Sequence, residues 1–100
     1  MKKPCYTEYV RHILRFYSRY LHNKTFKTHT DRQNWWACHT VLEGYSARDK
    51  DIFTFVYGEY DTIADNVYVI SKKLKIHQNI IWDMMKELEK KVAIERGIWE

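Results

Sequence analysis

Little in this chain breaks a helix. Its 100 residues include three glycines and one proline, too few for the many turns of a small β sandwich, so an all-α domain with short connections is expected. Cysteine is equally scarce. Cys5 and Cys38 lie far apart, and without a secretory signal a reduced pair is expected rather than a disulfide framework. Met1-Lys2-Lys3-Pro4-Cys5 starts like a short signal peptide, but no apolar core segment follows it. No run is long and apolar enough to span a bilayer. The expectation is a soluble, cytoplasmic protein with no membrane partner.

Catalytic constellations are missing too. No glycine-rich phosphate loop occurs, and no histidine–nucleophile arrangement. Asp49 and Asp51 are two residues apart and face different directions on a helix, while Asp61 and Asp65 are better explained as capping residues. The five histidines (12, 22, 29, 39 and 77) and Cys38 raise the question of a metal. Cys38 and His39 are adjacent, so their side chains diverge around a helix, and no second ligand pair shows zinc spacing. No enzyme, metal or cofactor is expected.

What the chain does hold is apolar and basic. Hydrophobic residues make up 45% and aromatics 16%, enough for one packed core in a chain of single-domain length. The net charge is +4, which suits an anionic partner. Residues 1–45 carry eight Lys/Arg against three acids, and residues 46–100 carry nine against ten.

Five helices can be placed. Thr7 can cap the first, running to about Leu21. Tyr6, Tyr9/Val10, Ile13, Phe16/Tyr17 and Tyr20/Leu21 recur at helical spacing along it. That stripe is core, with enough aromatics left over for contact with a second copy or another partner, as a homodimer or a complex. Arg11, Arg15 and Arg19 recur every fourth position on another face, by default a solvated one. Thr30-Asp31-Arg32-Gln33 forms a capping box opening the second helix. That helix buries some of Trp35, Cys38, Val41 and Leu42, and Gly44 lets it stop in a left-handed conformation. Ser46 caps the third helix, with Asp49 at its positive end, and Ile52, Phe53, Val56 and Tyr57 supply its apolar face. Residues 58–62 break it. Asp61, Thr62 and Asp65 are alternative caps for the fourth.

Asn66 to Arg96 is the most informative stretch. Val67, Ile70 and Leu74 put an apolar stripe on one helix. Lys75-Ile76-His77 makes a turn, and Ile81, Met84/Met85, Leu88 and Val92 give a longer helix its buried face. This is the pattern of a helix-turn-helix whose second helix enters a DNA groove. Ser71, Ile76 and Ile81 are spaced to converge between the two helices, where a small residue lets the axes approach. The turn position occupied by Lys75 usually needs positive φ and glycine. His77 is a weak N-cap, and Asn79 is an alternative start. His77, Gln78, Asn79, Trp82, Asp83 and Lys86 then face outward. Gln78 and Asn79 can pair bidentately with adenine, and Lys86 can meet phosphate or guanine. Asp83 would repel phosphate unless it accepts from a cytosine amine or holds a neighbouring cation, and Trp82 either packs on an adjoining helix or touches a base.

From about Val41 to Ile98 the chain resembles region four of bacterial sigma factors, and particularly the short sigma-like regulators of phage and mobile elements in Gram-positive bacteria. The resemblance rests on Leu42-Glu43-Gly44-Tyr45-Ser46-Ala47-Arg48-Asp49-Lys50-Asp51-Ile52, on Val69-Ile70-Ser71-Lys72-Lys73-Leu74-Lys75-Ile76, and on Ile81 through Lys90-Lys91. It implies binding of promoter-like double-stranded DNA by the helix from His77 and, in full sigma factors, contact with the RNA polymerase core. Gln78, Asn79, Trp82, Asp83 and Lys86 fall on the family's groove-facing positions, and Arg48 on its phosphate-contacting arginine. Lys75 departs from the turn glycine, and residues 58–66 exceed the usual link. No other sigma region is present.

The expectation is therefore one all-α domain, with a helical hairpin over residues 1–44 and a helix-turn-helix unit over 45–98. The function expected is a sequence-selective, non-enzymatic transcriptional regulator. Arg48, Lys72, Lys73 and Lys86 would meet phosphates, and Gln78 and Asn79 would select bases. The alternative is a helical protein-interaction module that docks on RNA polymerase or self-associates without DNA; the near-neutral charge of residues 46–100 favours it.

Overall fold

A computed structural model describes residues 5–20 and 26–98. The described residues form five helices and no strand: α1 (Thr7–Arg19), α2 (His29–Leu42), α3 (Ala47–Gly58), α4 (Ile63–Leu74) and α5 (Gln78–Arg96). Each contributes one stripe to a shared core. Val10, Ile13, Leu14 and Tyr17 of α1 follow helical spacing and are buried. So are Trp35, Cys38 and Leu42 of α2, the four apolar residues Ile52, Phe53, Val56 and Tyr57 of α3, and Ile81, Met85, Leu88 and Val92 of α5. Val41 and Met84 are only partly buried.

α1 and α2 pack on one another, and α3 and α5 pack on that pair. α1 packs most extensively on α3 and also touches α2 and α5, while α2 lies on α5 and α4 bridges α3 and α5. The radius of gyration, 13.1 Å, is that of a compact globule of this length. Among the described residues no helix is long and apolar enough to cross a membrane. Cys5 is exposed, Cys38 is buried, and no disulfide joins them.

Several local expectations are corrected. α1 has Tyr6 at its N-cap with no side-chain bond, and Thr7 is buried in the first turn. The expected end at Leu21 lies outside the described residues; the described helix closes at Arg19, with Tyr20 as its cap. α2 is capped by Thr28, not Thr30: the Thr28 hydroxyl accepts from the Asp31 amide at 3.0 Å. Both threonines begin a plausible capping sequence, and the extended backbone of residue 28 decides between them. Gly44 takes no left-handed conformation, since Lys75 and Gly97 are the only described residues with positive φ; its N–H instead donates to the Val41 carbonyl. Ser46 caps α3 through the Asp49 amide, and Thr62 caps α4 through the Asp65 amide.

The arginine stripe of α1 is engaged rather than idle. Arg15 donates to the Asp61 carbonyl at 2.8 Å and Arg19 to the Gly58 carbonyl at 3.2 Å, tying α1 to the end of α3 and the loop between α3 and α4. Gly58 permits this approach, for a Cβ there would sit 3.0 Å from the Ser18 Cβ. The same loop is braced from inside by Asn66, fully buried, whose amide donates to the Val56 carbonyl at 2.7 Å and accepts from the Tyr60 N–H at 3.0 Å.

Candidate nucleic-acid interface

The α4–α5 connection is built around one left-handed residue. Lys75 has φ 57° and ψ 44°, and its N–H and that of Ile76 both turn back to the Ser71 carbonyl. This closes α4 and satisfies an otherwise orphaned acceptor. Ser71 and Ile81 are buried and Ile76 partly so, as the expected convergence requires. The Ser71 hydroxyl donates to the Tyr68 carbonyl at 2.7 Å, so a small polar residue is buried without leaving its donor unmade. His77 is extended and caps α5, its Nδ1 accepting from the Asn79 N–H at 3.1 Å.

Around this turn Ser71, Lys72, Lys75, Ile76, His77 and Gln78 line an open groove of about 400 Å³. The site residues read from sequence divide accordingly. Lys72, His77 and Gln78 meet at the groove, with Gln78 half-buried and the two others exposed. Asn79, Asp83 and Lys86 are exposed along one face of α5, as residues four and three apart must be. Lys73 is exposed on the last turn of α4. Arg48 is exposed on the first turn of α3, outside the groove lining. Leu74, expected in the apolar stripe, is 41% exposed. It is the last residue of α4, which stops at the left-handed Lys75 cap before that face returns to the core.

Trp82 takes the first of the two roles expected of it. It packs against the core, half-buried, with the Arg11 guanidinium 5.7 Å above its ring. Arg11 also donates to Glu89 at 2.9 Å, and the Tyr57 hydroxyl donates to the same carboxylate oxygen at 2.7 Å. Burial, and next the Glu89 carboxylate, push the Tyr57 phenol well above its ordinary value, keeping it a neutral donor. The cluster fixes α5 against α1 and α3. Glu89 was missed in the sequence, although a signal exists: it follows Met85 by four and precedes Val92 by three, on the apolar face.

Charge is unevenly placed. Residues 66–82 contain Lys72, Lys73 and Lys75 and no acid at all. The ten acids of residues 46–100 lie outside that segment, among them Asp65 and Asp83, which flank it, Asp49 in the first turn of α3, and Glu89 in the interior. Among the described residues, no group of three or more His, Cys, Asp or Glu is arranged to hold a metal ion. Comparison of the chain with protein-family models, with curated proteins and with solved structures yields no match.

Proposed function

We propose that the protein is a sequence-selective, non-enzymatic DNA-binding regulator that reads a duplex with the N-terminal half of α5. The observation that carries this reading is the acid-free, lysine-bearing segment of residues 66–82 wrapped around an open turn, with Asn79 exposed and Gln78 beside the groove. Lys72, Lys73 and Lys86 meet phosphates, which supply affinity, while Gln78 and Asn79 meet base edges, which supply selectivity. Trp82 acts from behind, holding the helix to Arg11 rather than touching a base. The resemblance to sigma region four supports promoter-like DNA as the target.

A second reading has its own observation. Tyr68, Val69, Leu74 and Ile80 are all exposed on the same unit, which suits a protein partner such as RNA polymerase, or a second copy. A salt titration separates the two. A DNA reader loses about 0.9 log units of affinity per log unit of salt for each phosphate neutralised; a protein-only module gives no duplex binding even at low salt. Gln78→Ala with Asn79→Ala then tests the reading residues. Selectivity is expected to relax by about 1–3 kcal/mol per lost base contact, with helicity unchanged. Retained selectivity would assign the reading to other residues.

A further inference from the structure

Lys75 sits where its side chain is a liability to the fold. At φ 57° it is the one described non-glycine residue in the left-handed region, a conformation that costs an L residue roughly 1–2 kcal/mol and glycine little. A strained residue at a groove is a pointer to function. Its surroundings supply the rest. Lys75 lines the groove beside Lys72 and His77 and is exposed. Among the described residues it enters no ion pair, and along the chain the nearest acids are Asp65 and Asp83.

The geometry points to Lys75 as a phosphate-binding residue: its ammonium, with Lys72 of the same groove lining, takes one backbone phosphate of the bound duplex. This rests on the DNA-binding reading and adds a residue to it. The strain is then retained because glycine, which suits the turn better, has no cation to offer.

The test uses the full chain and a mixed-sequence duplex of about two helical turns. Lys75→Gly is expected to melt no lower than the wild type. It is also expected to bind the duplex about eightfold more weakly at roughly 0.1 M salt, with a salt slope shallower by about 0.9. Lys75→Arg, which keeps the charge, is expected to bind as the wild type does. If the wild type binds with a steep salt slope and Lys75→Gly binds equally well with that slope, Lys75 is no phosphate ligand and the DNA-binding reading stands. If the wild type itself shows no binding at low salt, both fall. Equal weakening by Lys75→Arg would also overturn the assignment, since it would show a steric role rather than a charge.

Discussion

Truncating Arg11 to alanine strands a carboxylate. Glu89 has a side chain only 5% exposed, and Arg11, itself 19% exposed, is its one cationic partner among the described residues. Removing one partner of a buried pair costs about 3–5 kcal/mol, because the other charge stays desolvated. Here the Tyr57 hydroxyl still donates to Glu89 and the arginine end has some access to water, so the lower figure, about 3 kcal/mol, applies. The lost stacking on Trp82 adds about 0.5–1 kcal/mol. Against a total stability of about 5–15 kcal/mol, this should lower the melting temperature by roughly 12 °C or more. Urea unfolding followed by helical circular dichroism measures the loss. The decisive comparison is a double-mutant cycle. In a Glu89→Gln background the residual amide is neutral and can still accept from Tyr57, so Arg11→Ala should then cost only about 1 kcal/mol. Equal losses in both backgrounds would refute the buried pair as the source of the stabilisation.

Two other perturbations follow from buried groups. Asn66→Ala removes the amide that ties the Val56 carbonyl and the Tyr60 N–H together; it is expected to cost about 2 kcal/mol in urea unfolding, and a neutral outcome would show that the loop holds itself. Stability should also fall at alkaline pH. Burial pushes the Cys38 thiol from 9.0 up to about 12; the Tyr17 phenol rises from 10.0 to about 12, chiefly through burial. Above pH 9 the unfolded chain therefore loses these protons before the native one does. Stability is lost as pH climbs towards 12, by up to about 1.4 kcal/mol per pH unit for each group. Urea midpoints at about pH 8 and about pH 10.5 measure the change, and identical midpoints would mean that neither group is protected.

The helices themselves were legible because their signals are local. The spacing of Val10, Ile13, Leu14 and Tyr17, and of Ile81, Met85, Leu88 and Val92, marks a buried face whatever it packs against. Ser46 declares a helix start within one turn. The left-handed turn at Lys75 was also readable, despite the absence of glycine, from the apolar spacing on either side of it. The errors arose where two local solutions were nearly equal. Thr28 and Thr30 each begin a capping sequence, and only the path of the chain chose between them. Gly44 offers positive φ without being required to use it.

Sequence alone determined how many helices form, and which stripe of most of them is apolar, since both follow from periodicity and capping within a few residues. Tertiary structure decided what the polar groups do. Arg11, Arg15 and Arg19 share one spacing, yet one meets a buried carboxylate and two meet backbone carbonyls at the end of α3 and in the loop after it. Trp82 packs half-buried against the core, with Arg11 of a distant helix over its ring. A charge finds its partner across space, and Arg11 and Glu89 are 78 residues apart in the chain, a separation over which a local pattern carries no information.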